Sequence, residues 1–115
     1  MSDAIEARLK ELGYTLPAAA APAANYVPFT ISGNLLYISG QLPMESGKIA
    51  VTGHVGRDVD VATAQKAAEL CAVNILAQVK AALNGDLSKV RRVLKLNSFV
   101  ASVPEFTEQH LVING

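Results

Sequence analysis

Val27-Pro28-Phe29-Thr30-Ile31-Ser32-Gly33-Asn34-Leu35-Leu36-Tyr37-Ile38-Ser39-Gly40-Gln41-Leu42-Pro43 is the stretch that decides how this chain folds. Residues 27–32 and 35–39 are apolar, β-rich segments, and only Gly33-Asn34 separates them. A two-residue connection with glycine at positive φ suits a hairpin, so the stretch predicts two short antiparallel strands. Directly after the second strand, Ser39-Gly40-Gln41-Leu42-Pro43 sets a glycine between two hydrogen-bonding side chains. That glycine would let a ligand approach the backbone, with Ser39 and Gln41 supplying polar contacts. On residue types alone, the favoured reading is the plainer one, a turn punctuated by glycine and proline.

Downstream, residues 44–48 carry turn chemistry around Ser46-Gly47, and residues 49–51 have room for a brief strand before Gly53 and Gly56. Residues 60–83 hold neither proline nor glycine. Ala64, Ala68, Cys71, Ile75, Val79 and Ala82 recur there at helical spacing, with Lys66, Glu69 and Lys80 opposite, so a long helix with a small-residue face is predicted. Asn84-Gly85 should end it. Residues 93–101 then alternate, placing Leu94, Leu96, Ser98 and Val100 on one side of a predicted strand. Ser102 and Glu105 have capping-box spacing with Pro104 in the first turn, which predicts a second helix with Phe106, His110 and Ile113 on its inner face. About three strands make few ladders, so the last strand needs a cover from another chain or from further residues.

Upstream, Asp3 and Glu6 resemble a capping box, Ile5, Leu9 and Leu12 repeat at helical spacing, and Gly13 can end a short helix. In residues 16–24, Pro17 and Pro22 interrupt small residues and favour an extended tether. The reading is of residues 1–24 as helix and tether, and of residues 25–115 as the domain proper.

The 115 residues suit one hydrophobic core. Half are hydrophobic and 17% charged, which excludes the composition of disorder. Ten basic side chains balance ten acidic ones, so no long-range field draws in a polyanion, and nucleic-acid binding is not favoured. Cys71 is the single cysteine, the amino terminus has no basic leader, and no apolar run reaches the roughly 18 residues of a membrane span. A cytoplasmic protein that neither crosses nor binds a membrane is expected.

Beyond the glycine loop, Tyr26 precedes the first strand, where a phenol can wall a pocket or simply pack. Asn74 and Gln78 lie one helical turn apart and are free to pair, face solvent or meet a neighbour; no catalytic role follows. Cys71 falls in the apolar stripe, which points to a buried thiol rather than a reactive thiolate. His54 and His110 are far apart in sequence, and no metal-ligand spacing occurs, so no metal is expected. Arg91, Arg92 and Lys95 form a small basic group best read as solvated.

Taken together, Asn25-Tyr26-Val27-Pro28, residues 36–43, Asn74 and residues 93–100 resemble the Rid family, also called YjgF-type or endoribonuclease L-PSP-like. The resemblance implies an α/β subunit of chorismate-mutase-like fold: a mixed sheet packed on two helices, here with an extra amino-terminal helix. It also implies a homotrimer with ligand clefts between subunits. Complete members hydrolyse reactive enamines and imines to keto acids and ammonia, with no cofactor. By resemblance, the ligand-binding residues are Tyr26, Ser39, Gly40, Gln41 and Asn114, with His110 the alternative to Asn114, and the ligand is a small carboxylate-bearing molecule. The family's carboxylate-binding arginine matches no position here and is expected beyond Gly115. A non-catalytic ligand-binding or regulatory subunit is the alternative reading.

Overall fold

A computed structural model describes residues 4–21 and 24–115. Asp3, the expected cap of the first helix, and Pro22 of the tether lie outside the described residues. The backbone gathers into two compact units, one of Met1–Gln41 with Val73–Leu94, the other of Leu42–Ala72 with Lys95–Gly115.

In the first unit, helix α1 (Ala4–Glu11) ends as Gly13 predicts. Gly13 has φ +91, and the amides of Gly13 and Tyr14 return to the carbonyls of Lys10 and Leu9. This pair of bonds is the Schellman cap. Strands β1 (Phe29–Ser32) and β2 (Leu35–Ile38) form the expected hairpin, with Phe29 opposite Ile38 and Ser32 opposite Leu35. Of the two turn residues only Gly33 has positive φ, the pattern of a type II′ turn, whose twist matches the strands.

The same unit holds the second half of helix α2 (Val61–Ala82). Asn84 at φ +56 ends it, with the amides of Asn84 and Gly85 bound to Ala81 and Lys80, a second Schellman cap in which asparagine tolerates the left-handed backbone. A single 3₁₀ turn, Leu87–Lys89, follows, capped by the Asp86 carboxylate on the Ser88 amide. Leu87 is 0% exposed, and α1 packs against this turn. Lys80 on α2 also pairs with Glu6 on α1.

In the second unit, β3 (Met44–Glu45) and β4 (Lys48–Ile49) close a minimal hairpin on Ser46-Gly47, both at positive φ as in a type I′ turn. Asp60 caps α2, its carboxylate accepting from the Thr63 amide at 2.7 Å. Val55, Val59, Ala64 and Val112 form the buried cluster, with Val51, Val61, Ala68, Val100 and Phe106 packed on it. Helix α3 (Gln109–Ile113) is tied to α2 by the Gln65 amide, which donates to the Leu111 carbonyl at 2.9 Å.

Two expectations change. Residues 93–101 form no strand: residues 90–101 have no regular secondary structure, and Val93, Leu94, Leu96 and Phe99 are exposed. A strand exists only through ladder bonds to a partner, and among the described residues this stretch has no strand beside it; pairing is confined to bridges of Val55 with Val59 and Ser102. The second helix starts at Gln109 rather than after Ser102. Ser102 is held by the Val55 bridge, and its hydroxyl accepts from Gln109 Nε2, so it does not cap; Ser102 through Glu105 instead lead into a turn closed from Phe106 N to Val103 O. On α2 the deepest residues include Asn74 and Gln78, not only the small-residue stripe.

Leu87→Ala should lower unfolding free energy by about 2–5 kcal/mol through the cavity it leaves. Gly53→Ala should cost about 1–3 kcal/mol, because Gly53 has φ +124 and an added Cβ would strike the Asp58 carboxylate and Val59. Urea denaturation measures both, and an unchanged midpoint in either would contradict the packing described.

Candidate functional site

The candidate loop is built by the open end of the β1–β2 hairpin. The register that sets Phe29 opposite Ile38 continues one step, so Pro28 meets Ser39. Proline has no amide proton to offer, and the bonds there run one way. The Ser39 amide donates to the Pro28 carbonyl at 3.0 Å, and the Ser39 hydroxyl donates to the same oxygen at 3.1 Å. Gln41 Nε2 in turn donates to the Ser39 carbonyl at 3.1 Å. Ser39 and Gln41 are half-buried, and Gly40 between them is exposed.

These bonds assign different work to the residues that sequence grouped together. The Ser39 proton is engaged by Pro28, so toward a ligand this hydroxyl is an acceptor while that bond lasts. One N–H of the Gln41 amide is likewise engaged, leaving its second N–H and its carbonyl oxygen outside that bond. Gly40 has no neighbouring atom within 4 Å of the position a Cβ would take, and its backbone is not left-handed. Local packing and conformation therefore give no reason for glycine at this position, which is what a ligand-approach role would look like.

Tyr26 lies two residues before Pro28, so the hairpin brings it to the same end as the glycine loop. Its amide donates to the Ala24 carbonyl at 2.9 Å, and the residue is 43% exposed. Tyr26, Ser39, Gly40 and Gln41 thus belong to one unit. Asn114 belongs to the other; it is the exposed residue that ends α3, its amide bound to the His110 carbonyl. His110, the alternative at that position, is exposed one turn earlier.

Sequence reasoning left Gln78 without a role. The structure buries it to 1% exposure, and its Nε2 donates to the Ala20 carbonyl of the tether at 2.8 Å. The only sequence signal was an amide one turn from Asn74 on a helix with an otherwise small, apolar face. Asn74 is buried as well.

A second polar cluster sits on the turn before α2. Arg57 donates to the Asp58 carboxylate at 2.8 Å and to His54 Nδ1 at 2.8 Å. The Arg57 hydrogen bond, aided by the His54 amide, holds the Asp58 carboxyl below the usual aspartate range. These contacts close the turn beside Gly53 and leave a structural explanation for all three side chains. Burial pushes the Cys71 thiol up, the opposite of what a nucleophilic thiolate requires. Among the described residues, no group of three or more His, Cys, Asp or Glu is placed to hold a metal, and no helix is long and apolar enough to cross a membrane.

Residues 6–113 match the family described as "YjgF/chorismate_mutase-like, putative endoribonuclease". The chain belongs to this family. Its mixed α/β architecture is the YjgF chorismate-mutase-like fold. Over 114 residues it is 50% identical to Protein TCP17 of Trypanosoma cruzi, covering 99% of this chain and 71% of that protein. A crystal structure of the protein Atu1372 from Agrobacterium tumefaciens, of unknown function, superposes with a TM-score of 0.86 at 84% identity, covering 96% of this chain and 66% of that one. The crystal structure of "a putative endoribonuclease" from Shewanella oneidensis gives a TM-score of 0.85 at 33% identity, with 95% and 72% covered. The chain thus spans about two thirds to seven tenths of these relatives' lengths.

Gly40→Ala should leave the melting temperature within about a degree or two, since a surface substitution free of clashes stays near ±0.5 kcal/mol. A large drop would mean that the glycine serves folding. On acidification, the Asp58 contribution is present above the unfolded aspartate pKa and is lost as pH falls through the lowered native value. A carbon-detected NMR titration should therefore place the Asp58 midpoint below that of a model aspartate, and Arg57→Ala should return it toward the ordinary value.

Proposed function

We propose that the complete protein hydrolyses a small, reactive imine bearing a carboxylate, such as the imine tautomer of 2-aminoacrylate, and that the hairpin end of the first unit lines its site. The observation that supports this reading is the gathering of Tyr26 with Ser39, Gly40 and Gln41 around one pair of bonds from Ser39 to the Pro28 carbonyl.

In the reaction, water adds to the imine carbon and a proton passes to nitrogen, giving a carbinolamine. The carbon–nitrogen bond then breaks, ammonia leaves, and the keto acid remains. This needs no cofactor, only a held water, a proton path and a fixed substrate. Gly40 offers backbone that a planar substrate can approach, Ser39 Oγ offers acceptor lone pairs to water, and the Tyr26 hydroxyl is the group suited to exchange a proton with the substrate. Asn114 is the further ligand contact in this reading. The substrate carboxylate calls for a guanidinium, whose planar fork grips two oxygens at once. A homotrimer with clefts between subunits and a cytoplasmic setting complete the proposal.

A second reading is favoured by one specific feature: the Ser39 hydroxyl proton and one of the two Gln41 amide N–H groups are already engaged within the loop. A subunit that binds a small carboxylate without turning it over would need no more than that. RNA cleavage, suggested by the description of the Shewanella relative, finds no support in a balanced charge of ten basic and ten acidic side chains.

Ammonia release from enzymatically generated 2-aminoacrylate, measured with the full-length natural protein, decides between them. The hydrolase reading expects release above background and a loss of roughly 10²- to 10⁴-fold in Tyr26→Phe, the usual range for a proton-transfer group. Thermal stabilisation by keto acids with no ammonia release would establish the binding subunit instead.

A further inference from the structure

We infer that Gln65, near the start of α2, is a positioning residue for Asn114; in its catalytic consequence this rests on the reading above. One residue holds the chain on both sides of Asn114. Before it, Gln65 Nε2 donates to the Leu111 carbonyl at 2.9 Å, across 46 residues of sequence. After it, Gly115 lies against the Gln65 backbone: a Cβ added at Gly115 would sit 2.5 Å from the Gln65 carbonyl oxygen and 2.7 Å from its Cα.

The two contacts differ in kind and act together. The atoms that face Gly115 belong to helix backbone, which cannot swing aside, so glycine is what lets the chain after Asn114 come this close. Other contacts hold α3 as well. Val112 packs in the core cluster, and Gln109 Nε2 donates to the Phe106 carbonyl at 2.8 Å and to Ser102 Oγ at 3.3 Å. Burial of Val112 is non-directional and sets the depth of the helix, while the Gln109 bonds tie its first residue. The Gln65 bond is directional and, with the Gly115 contact, sets where the last turn lies along α2. Every residue named belongs to the second unit. Asn114 is exposed, with its backbone amide bound to the His110 carbonyl. A side chain suited to meet a ligand is thus carried on a turn that Gln65 places.

The test follows the asparagine side-chain amide signals by nitrogen-15 NMR in the full-length natural protein, with the Asn114 pair assigned by its loss in Asn114→Ser. Gln65→Met keeps the side-chain length and removes the donor; it should shift the Asn114 pair while that of Asn84, in the other unit, stays in place. Gln65→Glu adds a pH signature that lost packing cannot imitate. An ionised carboxylate only accepts, whereas the protonated acid can donate to the Leu111 carbonyl. The Asn114 pair in Gln65→Glu should therefore return toward its wild-type position as pH falls. His110, beside Leu111, titrates in all these proteins, so the return is read as the difference from Gln65→Met. An Asn114 pair unmoved in folded Gln65→Met, or no return in Gln65→Glu, would overturn the inference.

If neither Gln65 variant folds, Gly115→Ala tests the other contact. The added methyl should displace the Asn114 pair with the Gln65 donor intact, and an unmoved pair would refute the placement. In the ammonia assay, Gln65→Met should raise KM by roughly tenfold, more than it lowers kcat, and should add little in an Asn114→Ala background. Fully additive losses there would show that Gln65 acts elsewhere than on Asn114. If the wild type itself releases no ammonia, the hydrolase reading fails while the asparagine signals still judge the role of Gln65.

Discussion

A backbone carbonyl removed from water must find a donor, and segments without secondary structure cannot supply their own. Helix α2 meets that demand twice with glutamine. Gln78 reaches the tether at Ala20 in one unit, and Gln65 reaches α3 at Leu111 in the other. Each amide joins α2 to a stretch with little local structure: an Ala/Pro segment, and a helix of five residues. Short helices are marginal by themselves, and tethers have no preferred place. Asn114, proposed to meet a ligand, ends the short helix that Gln65 holds.

The parts legible in sequence are those whose geometry is decided within a few residues. Gly33-Asn34 specified the hairpin and Gly13 the end of α1, because positive φ is restricted to a few residue types. The long helix was legible for the same reason, from its caps and the absence of breakers. The stretch after residue 90 was not, because alternation in Leu94, Leu96 and Ser98 describes a face without describing a partner. Ser102 through Glu105 carried the letters of a capping box, yet the bridge to Val55, some 50 residues earlier, holds Ser102 in another role. In the first case a long-range partner was missing, and in the second a long-range bridge overrode local chemistry.

At the candidate site, the structure adds bonds within the loop that the sequence does not show. Ser39 and Gln41 read as polar contacts for a ligand, and in the structure the Ser39 hydroxyl and one N–H of the Gln41 amide also bond within the loop. Gly40 and Tyr26 remain the residues turned outward. Gln78 was invisible because a buried amide on a helix looks, in one dimension, like any polar residue on the solvent side. Only its exposure of 1% and a partner 58 residues away distinguish it.

The exposed run after residue 90 has a consequence for handling. Leu94 through Val100 combine apolar and β-prone side chains with no proline, and Phe99 is 94% exposed. Segments of this kind stack against copies of themselves when left uncovered. Arg91 and Arg92 stand just before the run and Lys95 within it, where positive charge opposes such stacking by bringing like charges together. The three cations that read from sequence as a solvated cluster thus also place like charges along this run, where stacked copies would bring them together.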